Sequence, residues 1–269
     1  MTLRPALFFL TAMLLSNCNS GRETKGDSNN PIPSINYKYI KSYPHDTTSF
    51  TEGFVMHDGK LYESTGATSD LPQTRSLFGQ VDLSTGKIRV DVEIDRQKYF
   101  GEGIAFLAGK VYQLTYKSKI GFIYDAKTFK QLGEFKIPAK EGWGLTTNGK
   151  ELIMSDGTNT LTYLDANNLQ VIKKLSVTEN GTAKYNLNEL EYFNDHVYAN
   201  LWTTNTILKI DPNDGRIVGE IDLSSFAAEA RSIYPGSLEM NGIAYDSLSN
   251  RVFVTGKLWP KIYEIVIGK

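Results

Sequence analysis

Between residues 51 and 257 the chain repeats one hydrophobic pattern five times. An apolar run gives way to a short polar turn rich in Gly, Asp or Asn, and a second apolar run follows. The copies are TEGFVMHDGKLYESTG from Thr51, GEGIAFLAGKVYQLTY from Gly101, GWGLTTNGKELIMSDG from Gly142, LNELEYFNDHVYANLW from Leu187 and MNGIAYDSLSNRVFVTGK from Met240. Strand, tight turn, strand is the β-hairpin signature. A second unit follows each of the first four copies: GQVDLSTGKIRV, GFIYDAKTFKQL, TYLDANNLQVI and LKIDPNDGRIV. Each is again two strands about an Asp-led turn, at Asp82, Asp125, Asp165 and Asp211. Four short strands in a period of about 40–50 residues mark a β-propeller blade. The pattern predicts an all-β, five-bladed β-propeller.

The fifth copy is short of a strand: after NRVFVTGK comes KIYEIVI, and the chain nearly ends. INYKYIKSYPH, Ile35–His45, can supply the missing one, so that N- and C-terminal strands pair in the last blade. Such closure removes free strand edges that would otherwise invite aggregation. The propeller then spans residues 35–269. Ahead of it, MTLRPALFFLTAMLLSNC (1–18) reads as a secretory signal, with an early Arg, an apolar run from Ala6 to Leu15, then small and polar residues. The apolar run is too short for a comfortable membrane span. LLSNC resembles the lipobox of bacterial lipoproteins, which implies lipidation of Cys18, although Asn17 departs from the usual small residue. Residues 19–34, NSGRETKGDSNNPIPS, read as a disordered tether. The expectation is a monomer exported to the bacterial cell envelope and touching the membrane only through its lipid anchor.

Aligning the hairpins on their apolar positions puts chemistry in register. The column just before the first strand holds Glu52, Glu102, Trp143, Asn188 and Asn241. The column ending the second strand holds Gly66, Tyr116, Gly157, Trp202 and Lys257. In an antiparallel hairpin these two positions lie at the same end, so a propeller gathers all ten around one mouth of its axis. Carboxylates, carboxamides, tryptophans, a tyrosine and a lysine on one face describe a small-ligand pocket. A hydrogen-bonded axial plug of the same residues is the plain structural reading. In KYFGEGIAF the glycines flanking Glu102 suggest room for a substrate beside the carboxylate. Glu63 lies inside a strand near the same face, as a buried paired acid or a working one.

Composition narrows the field. A net charge of -1 over 269 residues, without long blocks of like charge, argues against nucleic acid as a partner. Cys18 is the only cysteine, so no intrachain disulfide forms. His45, His57 and His196 show no zinc-ligand spacing. Oxygen ligands around one axis suit a metal-dependent lactonase or hydrolase, against which Trp143 and Lys257 argue. A propeller that only binds a peptide is the non-enzymatic alternative, since fold alone does not fix function.

Many ordered motifs, among them FTEG, LYESTG, YFGEG, GWGL, LNELEY, YANLW, NGIAYD and FVTGKLWPK, resemble the plant and bacterial type of glutaminyl-peptide cyclotransferase, also called glutamine cyclotransferase. The resemblance runs from about Phe50 to Ile265. It implies a five-bladed propeller that converts the N-terminal glutamine of peptides or proteins to pyroglutamate and releases ammonia, with no cofactor. It implies Glu102 as the catalytic glutamate, places Asn188 and Lys257 in the same site, and implies Tyr116, Trp143 and Trp202 as substrate-binding aromatics. The chemistry of the cyclisation then suggests Glu102 as catalytic base and acid, with Lys257 or Asn188 as the catalytic group that stabilises the oxyanion. Glu52 and Asn241 complete the expected substrate site. Two positions depart from the family pattern: Glu52 stands where Gln is common, and Tyr116 where Trp is common. Glu52 brings a second carboxylate near Glu102, which should make one of the two hold its proton more tightly.

Overall fold

The computed structural model describes Met1 and residues 31–268. The signal segment, Cys18 and tether residues 19–30 lie outside the described residues. Five four-stranded antiparallel sheets surround a central axis. Blade 1 comprises Thr51–His57, Lys60–Thr65, Leu77–Asp82 and Lys87–Glu93. Blade 2 comprises Gly101–Leu107, Lys110–Thr115, Ile120–Asp125 and Gln131–Lys136. Blade 3 is built from Leu145–Thr147, Glu151–Met154, Thr160–Asp165 and Val171–Ser176, and blade 4 from Leu187–Phe193, His196–Leu201, Thr206–Ile210 and Ile217–Asp222. Blade 5 takes Met240–Asp246, Arg251–Gly256 and Lys261–Ile267, and its outer strand is Tyr37–Pro44 from the other end of the chain. That closing strand pairs from Tyr37 opposite Ile267 to Pro44 opposite Lys261.

The turns explain why these residues form hairpins. Asp58–Gly59, Ala108–Gly109 and Asn194–Asp195 carry positive φ at both central positions, as two-residue hairpin loops require. In the second units the Asp side chains cap their own turns: Asp82 Oδ1 accepts from Ser84 N at 2.8 Å, Asp165 Oδ1 from Asn167 N at 2.8 Å and Asp211 Oδ1 from Asn213 N at 2.9 Å. The core lies between blades rather than within one. One apolar cluster joins blades 1 and 2 through Tyr62, Phe78, Phe106 and Phe122, and four others join the successive pairs around the ring. A propeller stays shut because every blade shares its buried face with two neighbours.

Two elements fall outside the repeat pattern. A small hairpin, Thr178–Glu179 with Thr182–Ala183, sits between blades 3 and 4. A helix, Ser224–Ile233, is inserted between blades 4 and 5 and buries Phe226, Ala227 and Ala230. Phe226 stacks on Tyr263 with ring centroids 4.2 Å apart. The expected disordered tether ends earlier than residue 34: Ser34 bridges to Glu220 of blade 4, and Ile32 packs on the core between blades 3 and 4, so apolar contact and strand pairing order residues 32–34 against the propeller.

Candidate functional site

The inner strands carry one irregularity in common. Pairing with the second strand slips between Thr51 and Gly53, Gly101 and Ile104, Leu187 and Leu190, and Met240 and Ile243. A β-bulge at that place re-aims the side chain inside it. The residues within the four slips include Glu52, Glu102, Asn188 and Asn241. Trp143 sits at the same level in blade 3, its N–H donating to Ser155 O at 3.2 Å.

Around these residues lies a cavity of about 410 Å³. Glu52, Glu102, Tyr116, Trp143, Asn188, Trp202 and Lys257 line it. Asn241 does not: fully buried behind the wall, its amide donates to Glu52 Oε2 and to Thr51 O, both at 3.0 Å. Gly66 and Gly157 do not line it either, each lying against an aromatic ring, of Phe100 and Trp143 respectively. Five lining residues escaped the column reading: Phe50, Phe100, Ala67, Thr68 and Ser69. The two phenylalanines each stand two residues before a column glutamate, so a further column was there to be read.

Aromatic rings form the walls. Trp143 and Trp202 meet edge to face at 5.5 Å, and Phe100 bridges Phe50 and Tyr116 at 5.9 Å on each side. The Trp143 indole N–H donates to Glu141 Oε2 at 3.0 Å, which fixes the ring's orientation. Between the walls lies the charge. Lys257 Nζ is 2.7 Å from Glu52 Oε1 and 4.5 Å from the centre of the Phe50 ring. The ammonium thus occupies the place beside Glu52 that a bound cation would need.

A model of the glutamine cyclotransferase family matches residues 9–267. The chain belongs to that family. It is 40% identical over 250 residues to a glutaminyl-peptide cyclotransferase of Arabidopsis thaliana, covering 92% of this chain and 76% of that one. Its fold superposes on the crystal structure of the Myxococcus xanthus glutaminyl cyclase with a TM-score of 0.78, at 31% identity, covering 88% of this chain and 98% of that one. This glutamine cyclotransferase is accordingly an enzyme acting on peptides or proteins.

Electrostatics single out one group in the cyclotransferase pocket. Glu102 is buried, and its Oε2 has no hydrogen-bond partner among the described residues. Burial, and then the neighbouring Glu52 charge, push its pKa well above the ordinary carboxylate value, which favours its protonated form. Burial also lifts Glu52, to about 7, against the pull of Lys257 and Asn241 toward the anion. Burial disfavours the Lys257 ammonium, but Glu52 and Glu102 more than offset this and raise its pKa. The pocket therefore pairs Glu52 with Lys257 and leaves Glu102 as the carboxyl whose protonated form burial favours. The Asn188 carboxamide lines the cavity without a side-chain hydrogen-bond partner among the described residues.

The glycines beside Glu102 serve another purpose than leaving space for a substrate. A Cβ on Gly103 would sit 2.4 Å from Leu145 N, and one on Gly101 2.6 Å from Thr65 O. They are close approaches of backbone to backbone. The same level of each inner strand holds Gly53, Gly103, Gly144 and Gly242, but blade 4 has Glu189 there. That carboxylate fills the axis, accepting from Phe54 N at 3.2 Å and Ile243 N at 2.8 Å. Pocket and axial plug thus coexist, from different residues. Glu63 is a paired acid within the wall: its oxygens lie 3.1 Å from His45 Nε2, and Thr51 donates to it at 2.7 Å.

Proposed function

We propose that the enzyme cyclises the N-terminal glutamine of peptides to pyroglutamate, with Glu102 carrying the proton. The α-amine nitrogen attacks the γ-carboxamide carbon, the new C–N bond closes a five-membered ring, and the old C–N bond breaks to release ammonia. Nucleophile and electrophile are already tethered, so orientation between Trp143, Trp202 and Tyr116 supplies much of the acceleration. One proton must move from attacking to departing nitrogen, and a carboxyl can accept and then return it. Protonated Glu102 facing a neutral amine has the same proton count as ionised Glu102 facing an ammonium. An N-terminal amine titrates at about 7.7–8.0, and burial raises the Glu102 carboxyl from its ordinary value toward that range. The carboxamide N–H of Asn188 and the Lys257 ammonium are the donors available to the developing oxyanion. The carrying observation is the partnerless oxygen of buried Glu102 in a cavity walled by aromatics. Glu102→Gln, assayed for ammonia release from a Gln-initiated peptide, should lose nearly all turnover while melting like the parent. Normal turnover by the folded variant would end the role.

We further propose that Cys18 carries a lipid that holds the enzyme, as a monomer, on the cell envelope. The support is the apolar run ending just before the cysteine. Incorporation of labelled fatty acid, lost in Cys18→Ser, is the expected result, and labelling that persists would count against it.

A further inference from the structure

The cavity is closed on most of its perimeter. On the blade 1 side, Ala67 N donates to Ser76 Oγ and Thr68 N to Thr74 Oγ1, each at 3.0 Å, and the Arg96 guanidinium donates to Thr68 O at 3.2 Å. Between blades 2 and 3, Lys117 reaches Glu141 at 3.6 Å, and Glu141 in turn holds Trp143. Between blades 3 and 4 the two tryptophans touch. Between blades 5 and 1, Lys257 spans to Glu52. The shoulder between blades 4 and 5 is different, because a second cavity of about 280 Å³ lies there.

This second cavity adjoins the first through the backbone. Trp202 lines one and Thr203, its neighbour, the other. Leu238 N donates to Lys257 O, and Lys257 N to Glu239 O, both at 2.9 Å, and Leu238 and Glu239 line the second cavity. Thr203 holds a φ of 70°, which a β-branched residue rarely adopts. Such strain persists where the surrounding structure imposes it, often at a ligand site. Two charged side chains face the cavity with no side-chain hydrogen bond or close ion pair among the described residues: Glu239 and, on the last turn of the helix, Arg231. Glu239 is the inner charge, since its field raises the pKa of both Glu52 and Lys257.

We propose that this groove between blades 4 and 5 binds the part of the substrate that follows its N-terminal glutamine, and that Arg231 selects a carboxylate there. The inference rests on the cyclisation reading above. An amine at the reacting end faces Glu239, Glu52 and Glu102, and an anion further along faces Arg231. Either an acidic side chain or the free carboxylate of a dipeptide presents that chemistry.

The test compares glutamine amide, Gln-Ala, Gln-Ala-amide, Gln-Asp-Ala-amide and Gln-Lys-Ala-amide on the full enzyme and on Arg231→Ala and Arg231→Glu. Arg231 is exposed, so both variants should fold. An exposed charge pair corresponds to about a two- to fivefold preference. The parent should favour Gln-Ala over its amide, and the Asp over the Lys peptide, by that factor in kcat/KM, less so in high salt. Arg231→Ala should level the series and Arg231→Glu invert it. Glutamine amide, which has no second residue, should react equally with all three. If only Gln-Ala gains, the free carboxylate is the ligand; if only the Asp peptide gains, the side chain is. A preference that survives Arg231→Ala, or a matching loss with glutamine amide, overturns the proposal. Peptide affinities measured by calorimetry separate this from the chemistry. Should nothing be cyclised, an affinity order that levels in Arg231→Ala still supports the groove, and a flat order in the parent overturns it.

Discussion

Gly103→Ala tests whether the glycine beside Glu102 is there for packing. The added Cβ would lie 2.4 Å from Leu145 N and 2.7 Å from Trp143 O. Ordinary contact begins near 3.4 Å, so blade 3 would have to retreat by roughly 1 Å. It has nowhere to go, because each inner strand is wedged between two others and the ring is closed by the strand pairing of blade 5. The hydrogen bond from Gly103 N to Trp143 O, 2.9 Å long, stretches in the process. Overpacking contributes about 1–3 kcal/mol and the weakened hydrogen bond about 1 kcal/mol. A loss of roughly 2–4 kcal/mol lowers Tm by about 4–16 °C in a domain this size. Displacing Trp143 or Glu102 by a similar distance reduces kcat by about a hundredfold.

The assay is a thermal melt together with steady-state ammonia release. Gly133→Ala is the control, since a Cβ there meets nothing within 4 Å. The distances predict an order of damage: Gly144 (2.2 Å to Asn188 O), then Gly103, then Gly53 (2.8 Å to Ile104 N), with Gly133 unaffected. If Gly103→Ala melts like Gly133→Ala and only raises KM, the glycine makes room for substrate and the packing account is refuted.

Three further changes probe the same frame. Glu189→Ala strips acceptors from two buried N–H groups, of Phe54 and Ile243, and should cost about 2–6 kcal/mol, read as a lower urea midpoint. His45, fully buried, touches Glu63 and Trp259 O. Burial works against its charge, but Glu63 wins and raises its pKa. A raised folded pKa gives stability that is complete below the unfolded value, near about 6.5, and is lost as pH rises through the folded value. The urea midpoint should therefore decline above about pH 6.5, and Glu63→Gln should flatten that part of the curve. Glu52→Gln removes a negative neighbour and leaves Lys257 unneutralised, and both effects lower the Glu102 pKa. The Glu102 limb of the kcat/KM profile should move to lower pH while the limb set by the substrate amine stays, and an unmoved profile would show the two acids to be uncoupled.

Blade number, hairpin registers and the closing strand were legible because each rests on local chemistry repeated five times. Turn residues with positive φ and Asx-capping aspartates mark a hairpin whatever its surroundings. Seven of the ten column positions reach the cavity, for the same reason. Asn241 does not because the bulge that aims it belongs to a blade whose wall is already filled by Glu52 and Lys257. Phe50 and Phe100 escaped notice as ordinary apolar residues, yet they form a column with Glu141, Asn186 and Glu239. Glu141 orients Trp143, and Glu239 lines the second cavity. The glycine column was visible, but its meaning was not: only the distance to the next blade shows that the space is occupied. The helix Ser224–Ile233 had no counterpart in other repeats, and its apolar face is brief, with three buried residues. Nothing in one blade's sequence reports what packs on it from an insertion.

The geometry also divides the labour between Lys257 and Asn188. At 2.7 Å and an effective dielectric of about 20, the Glu52–Lys257 attraction is about 6 kcal/mol. That is of the order of the several kcal/mol needed to desolvate each ion, so the pair persists but has little to spare for a third group. On the cyclisation reading proposed above, Lys257 then serves as the counter-ion of Glu52, and Asn188 is the less committed of the two proposed oxyanion donors. Asn188→Ala should lower kcat by about 10²–10³-fold with little change in KM. Lys257→Met should be worse than that while Glu52 remains, because it strands a buried carboxylate, and Glu52→Gln in the same chain should restore part of the activity. A double-mutant cycle in kcat/KM measures the coupling directly. If the double variant is as slow as Lys257→Met alone and Asn188→Ala is nearly normal, Lys257 itself stabilises the oxyanion and the assignment is reversed.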